Sequence, residues 1–226
     1  MSLINEKKDF KIIADLIPAK SSVIDVGCND GSLLEFLKEE KDINGRGMEI
    51  DQQKVQLCLS KGISVIEGDA DLDLYDYPDN LFDYSILTYT LQATKSPKNV
   101  LSELVRISSK AIISFPNFGH WKIRLQLLLT GKMPITEGLP HSWYETPNIH
   151  FFTLKDFENL CKDMNIVIEK SIGLTNKGKQ FSIQKSFFPS NIFTSEAIFL
   201  LSYKNFEPIK IKSTNNVFAK NSAIVN

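Results

Sequence analysis

The chain has 226 residues and is poor in the side chains that build metal centres and covalent frameworks, with three cysteines and three histidines. Cys28, Cys58 and Cys161 are odd in number and contain no C-x-x-C pair. That argues against a zinc site and against a disulfide scaffold, and no metal is expected. Long apolar runs are also missing. None approaches the ~20 residues that a membrane helix needs. The opening stretch MSLINEKKDFKIIADLI has no apolar signal core. A cytoplasmic protein without a membrane association is the expectation. Net charge is nearly absent, with 26 basic and 27 acidic residues, but the balance hides an asymmetry. From Lys170 onward eight lysines stand against Glu196 and Glu207, so the preceding part carries 18 basic and 25 acidic residues. An acidic body disfavours a nucleic-acid backbone as partner and suits a cationic ligand.

The most informative stretch is Val23 to Gly31, VIDVGCNDG. An apolar run carries an acid into a tight glycine turn, the pattern of a buried parallel strand ending at a ligand loop. Ser32-Leu-Leu-Glu35 reads as a capping box that opens the next helix. A dinucleotide fingerprint needs G-x-G-x-x-G. Here Asn29 and Ser32 replace the second and third glycines, and Asp30 would set its charge beside a pyrophosphate. A ligand with a cationic group and no phosphate fits better, and S-adenosylmethionine is such a ligand. Asp25 can face its ammonium, and the loop amides its carboxylate. Glu49, about twenty residues beyond the loop, is placed to accept from both ribose hydroxyls. Asp69 ends the third expected strand, where it can accept from the adenine amine while the Ala70 amide serves a ring nitrogen. The expected cofactor contacts are therefore Asp25, Gly27, Cys28, Asn29, Gly31, Glu49, Ile50, Asp69, Ala70 and Thr88.

Strand-like and helix-like runs alternate as far as Phe115: strands at 23–27, 63–67, 82–88 and 111–115, and helices at 6–17, 33–41, after Asp51, and after Ser96-Pro97. Such alternation makes βαβ units and a parallel sheet. Two later runs, 166–172 and 197–202, lack a long helix between them and are expected to pair antiparallel as a closing edge. The expectation is an α/β Rossmann-like fold with a mainly parallel seven-stranded sheet, an antiparallel C-terminal edge and helices on both faces. One domain is expected over residues 1–203, with an insertion at about 116–152 over the strand ends and a flexible tail at 204–226. A helix is predicted from Asn117 to Thr130, ended by Gly131, and another capped by Thr153-Leu-Lys-Asp156.

The insertion supplies candidates for a second-substrate pocket: Asn117, His120, Trp121, Tyr144, Asn148 and His150. A histidine there can serve as a base near neutrality. Each has a plainer reading beside it. Asn117 can be a helix cap, His150 a satisfied loop histidine, and Trp121 part of a core stripe with Leu125, Leu128 and Leu129.

From Val23 to Phe115 the pattern resembles the class I S-adenosylmethionine-dependent methyltransferases: VIDVGCNDG their first motif, Glu49 their ribose acid, Gly68-Asp69-Ala70 their adenine acid. It departs at Asn29, where that family usually has Gly. A narrower resemblance lies in Gly47-Met-Glu-Ile-Asp51, Thr90-Leu-Gln-Ala93, Ser114-Phe-Pro-Asn-Phe-Gly-His-Trp121, Gly131-Lys-Met-Pro134 and Trp143-Tyr-Glu-Thr-Pro-Asn-Ile-His150. These strings are similar to the methionine-biosynthesis MetW family. The resemblance implies a methyltransferase-like protein that works with homoserine O-acyltransferase. The alternative is an active methyltransferase acting on a small metabolite. In-line methyl transfer mostly needs positioning and desolvation, so no fixed catalytic triad is expected, and the catalytic residues stay open.

Overall fold

The computed structural model describes residues 3–136, 139–175, 178–183 and 188–203, and the structural statements below concern these. The expected tail at 204–226 lies outside them. The strands are β1 (Ser22–Val26), β2 (Asn44–Glu49), β3 (Val65–Glu67), β4 (Phe82–Thr88), β5 (Ser108–Pro116), β6 (Ile166–Leu174), β7 (Gln180–Ser182) and β8 (Glu196–Tyr203). They form one sheet in the order β3-β2-β1-β4-β5-β8-β6-β7. The first five are parallel, and β8 joins β5 and β6 antiparallel.

The sheet thus has eight strands where seven were expected. The addition is β7, three residues long and antiparallel to β6. Its polar, short sequence gave no period-2 signal. What holds it is Phe181, which lies over the bare backbone of Gly173; a Cβ there would come within 2.7 Å of the ring.

Side-chain alternation along the central strands splits the core into two layers. Ile24, Ile113, Phe115 and Phe199 face α4 (Pro97–Ile107) and α6 (Leu154–Asp163). Val23, Ile86, Ile112 and Ile198 face α1 (Leu3–Leu16) and α2 (Ser32–Lys41). Phe115 is the centre of the first layer, with ring centroids 4.7 Å from Phe152 and Phe157 and 5.5 Å from Phe199. Each such aromatic pair contributes ~0.5–1.5 kcal/mol beyond area burial.

Several helix ends agree with the sequence and others do not. Asp51 caps α3 (Gln52–Ser60), accepting from the Gln53 amide at 2.9 Å. Thr153 and Asp156 form the expected capping box of α6. The Ser32–Glu35 box does not form. Gly31, in the left-handed region at φ 76°, takes the cap position, and the carboxylate of Asp30 accepts from the Ser32 amide and hydroxyl instead. Nor does Asn117 start a helix. Its amide donates to the carbonyls of Asn191 and Thr194, and its oxygen accepts from the Gly119 amide. The helix α5 (Trp121–Thr130) begins four residues later, capped by His120, and ends at Gly131 as expected. The expected core stripe of Trp121, Leu125, Leu128 and Leu129 is on the surface; no residue of α5 is buried.

Candidate functional site

Parallel sheets of this order bind ligands outside the carboxyl ends of the strands, where neighbouring crossovers run in opposite directions. In this chain that point lies between β1 and β4. A cavity of about 690 Å³ opens there. Nine of the ten expected contacts line it: Asp25, Gly27, Cys28, Asn29, Glu49, Ile50, Asp69, Ala70 and Thr88. Gly31 does not, because it sits at the helix cap with its Cα side filled by Ile63 and Cys58. A more open hollow along β6 and β7 holds none of the ten.

The loop after β1 is built by three left-handed residues, Gly27, Asn29 and the Gly31 already described. Gly27 has φ 73°, and a Cβ there would lie 2.5 Å from the hydroxyl of Thr90. Asn29 has φ 54°, a region that Asn visits at lower cost than other side chains. The Asn that departs from the glycine pattern therefore keeps a glycine-like backbone. Its amide donates to Glu49 Oε2 at 2.8 Å. The other Glu49 oxygen accepts from the Ile50 and Asp51 amides at 3.0 and 3.1 Å. A carboxylate offers about four acceptor positions, so this buried one has room for about one further donor.

Asp25 is the unusual group. It is 1% exposed, lines the cavity, and its Oδ1 has no hydrogen-bond partner. Burial, helped by the charge of Glu49, pushes its pKa up to about 7. Burial also raises the Cys28 thiol, so that side chain is an apolar wall and not a nucleophile. Asp30 is different. Burial works to raise it, but hydrogen bonds from Lys61 and Ser32 outweigh this and hold it below the usual carboxylate range. Its Oδ2 lies 2.9 Å from Lys61 Nζ. The charge of Asp30 is thus already matched, and the electrostatic preference of the loop rests on Asp25. Asp69 accepts from the Asp71 amide, and Asp71 in turn accepts from the Lys95 and Ser96 amides, tying the two rims of the cavity together.

Sequence reasoning missed the wall opposite the loop. Asp9, Phe10 and Ile13 of α1 line the cavity, as do Tyr89 and Thr90 after β4. Tyr89 holds φ 51°, a costly conformation for an aromatic residue, and its hydroxyl donates to Asp9 at 2.8 Å. Burial and the neighbouring Glu196 and Asp9 raise Tyr89 well above its ordinary pKa, so it stays a donor at neutral pH. Glu196 is pushed up to about 7 by burial and then by Asp9. One signal was available: Asp9 falls on the same helical stripe as Ile12, Ile13 and Ile17, an acid inside an apolar face.

None of the six second-pocket candidates lines the cavity; among the described residues of that insertion only Pro147 does. Asn117 is committed to closing a loop and His120 to capping α5, with burial and then Lys122 lowering its pKa. Trp121 and Tyr144 are exposed. Asn148 donates its amide to Thr146, and His150 donates its amide to Gln92. The His150 Nε2 is buried without a partner.

The family model of the methionine biosynthesis protein MetW matches residues 7–201. The chain belongs to the MetW family. A curated relative, the bifunctional methionine biosynthesis protein MetXA/MetW of Rhodopirellula baltica, is 35% identical over 173 residues. That match covers 73% of this chain and 28% of the relative, so the MetW-family chain spans little more than a quarter of that protein. Among solved structures, an S-adenosylmethionine-dependent methyltransferase from Thermotoga maritima, described as a possible histamine N-methyltransferase, superposes with TM-score 0.65 at 14% identity, covering 89% of this chain and 92% of that one. Another from Archaeoglobus fulgidus gives TM-score 0.59 at 15% identity, over 88% and 92%. The MetW-family chain has the class I methyltransferase fold. The fold alone does not name a reaction: the cyclase SpnF also superposes, with TM-score 0.60 at 13% identity, over 88% and 81%. Among the described residues no helix is long and apolar enough to cross a membrane.

Proposed function

We propose that this MetW-family chain binds S-adenosylmethionine in the cavity at the β1–β4 switch point and acts beside homoserine O-acyltransferase in methionine biosynthesis, in the cytoplasm. The observation that carries the ligand assignment is the buried, unpartnered Asp25 oxygen facing a cavity whose rim is formed by Glu49 and Asp69. A buried carboxylate with an open acceptor position calls for a cationic donor. A dinucleotide would bring a pyrophosphate to the loop amides and no cation to that acid.

Asp25 would accept from the ligand's ammonium, and Glu49 would take one ribose hydroxyl in its remaining acceptor position. Asp69 and the Ala70 amide would read the adenine edge, with Ile50 and Met48 as apolar walls. Bound S-adenosylmethionine supplies a methyl group on a sulfonium. On the acceptor side, Asp9, Phe10 and Ile13 of α1 and Tyr89 form the wall. A MetXA/MetW relative in one polypeptide supports the acyltransferase as partner. Ligand binding linked to acyl transfer would let a metabolite downstream of the pathway feed back on its own supply. We take residues 1–203 as one methyltransferase-like unit.

The test is direct. Calorimetry should show S-adenosylmethionine binding, and acyl transfer to homoserine by the host's acyltransferase should change rate when the chain is added. No heat of binding removes the ligand assignment. An unchanged acylation rate, with and without ligand, removes the partnership. Production of S-adenosylhomocysteine above background with a pathway metabolite would favour the enzyme reading.

A further inference from the structure

The helix α5 is apolar around its circumference, yet none of its residues is buried. Leu128 is 81% exposed and Leu129 72%; Trp121 and Leu125 are also exposed. Helices of this kind are normally buried, and a contiguous exposed apolar surface of this size marks an interface. The surface extends beyond the helix. Phe118, just before α5, packs edge-on against Phe151 at 4.9 Å, and Phe151 is itself exposed. Lys122, Arg124 and Lys132 lie along the same segment, so the rim is basic in an otherwise acidic body. An apolar centre containing Trp and Phe with a charged rim is the usual anatomy of a protein interface.

We infer that α5, with Phe151 at its N-terminal end, is the face that docks homoserine O-acyltransferase, against a patch on that enzyme that is apolar at its centre and acidic at its rim. This rests on the function proposed above. The occupant is chosen because a relative carries MetXA and MetW on one polypeptide, which sets an acyltransferase surface beside a surface homologous to this one. The position also suits control of the partner by the cavity. The amides of Ile149 and His150, next to Phe151, both donate to the carbonyl of Gln92, and the adjoining Thr90, Ala93 and Thr94 line the cavity.

The test compares the full chain with a Leu128→Asp/Leu129→Asp variant in surface-plasmon binding to the host's acyltransferase. Both positions are on the surface, so melting temperature and S-adenosylmethionine affinity should stay at wild-type values. Binding to the acyltransferase should weaken by about thirtyfold or more, as expected at an apolar hot spot, and any effect on acylation rate should be lost with it. A Leu128→Ser/Leu129→Ser variant replaces the first if that one unfolds, with the same expectation. Wild-type binding that both variants retain overturns the docking face and leaves the functional reading intact. A wild-type chain that never binds the acyltransferase overturns the functional reading itself. The face also fails if the variants merely turn a dimer into a monomer, or lose binding to anionic lipid vesicles, while still binding the acyltransferase: the surface would then serve a second copy or a membrane.

Discussion

S-adenosylmethionine should bind this chain more tightly as the pH rises from 5.5 to 7.5, through Asp25. In the free protein this carboxyl sits at about 7. A ligand ammonium interacts with the ionised form and gains nothing from the neutral acid. At pH 6 only ~10% of the protein carries the ionised form, so the apparent Kd should be about tenfold weaker than its limiting value, and about another tenfold weaker at pH 5. An α-amino group keeps its proton below about pH 7.5, so the ligand's own charge is nearly constant across this window. Glu196 also titrates near 7, against Asp9 on the cavity wall. The Asp25→Asn variant separates the two. It should bind weakly and with little pH dependence, since the amide cannot ionise. Calorimetry in two buffers of different ionisation heat should show proton release on binding to the wild type at pH 6 and little for the variant. A wild-type affinity that changes less than about threefold between pH 6 and 7.5 would refute the argument, as would an equal slope in Asp25→Asn. The same shift has a stability counterpart. A carboxyl raised from 3.8 to about 7 stabilises the fold fully below its unfolded value and loses that contribution as pH rises to about 7, some 4 kcal/mol in all. Without ligand, Asp25→Asn should therefore be more stable than wild type at pH 8, and the gap should close toward pH 5.

Two substitutions probe the loop itself. Glu49→Ala removes the acceptor of three amides and one ligand hydroxyl, and should weaken binding by ~1.5–3 kcal/mol in the same calorimetric assay; an affinity equal to wild type would remove Glu49 from the site. Gly27→Ala places a methyl 2.5 Å from the Thr90 hydroxyl at a left-handed φ. It should destabilise the fold by ~1–3 kcal/mol in denaturant melts, and a melt matching wild type would mean the turn can relax.

The parallel half of the fold was legible because short apolar runs alternate with helical ones, and the first three strands lead into Gly27, Glu49 and Gly68-Asp69. Phe82 to Thr88 was read with its observed bounds, and the antiparallel pairing of the last long strands followed from the missing crossover helix. The cavity side contributed by β1, β2 and β3 was legible for the same reason: sequence-local turns fix where Asp25, Glu49 and Asp69 stand. The far wall was not. Asp9 meets Tyr89 across 80 positions of chain, and no local pattern encodes such a contact. The α5 stripe misled because helical spacing of Trp121, Leu125, Leu128 and Leu129 marks an apolar helix, not what covers it, and Ile123 and Leu127 extend the apolar surface beyond the stripe. Asn117 was read as a cap from its chemistry. It does satisfy orphan backbone groups, but those at the C-terminal end of a distant helix, Phe188–Phe193.

One oxygen receives two of the amides that anchor the insertion to the rest of the molecule: the carbonyl of Gln92. The joint is made of main chain only, so the side chains at 149 and 150 are free to vary without releasing it. A movement of the 91–93 turn, such as a ligand pressing on Thr90 would cause, loads both bonds together and passes to the outer segment through them. The enclosed pocket and the outward-facing aromatics are in that sense two ends of one lever.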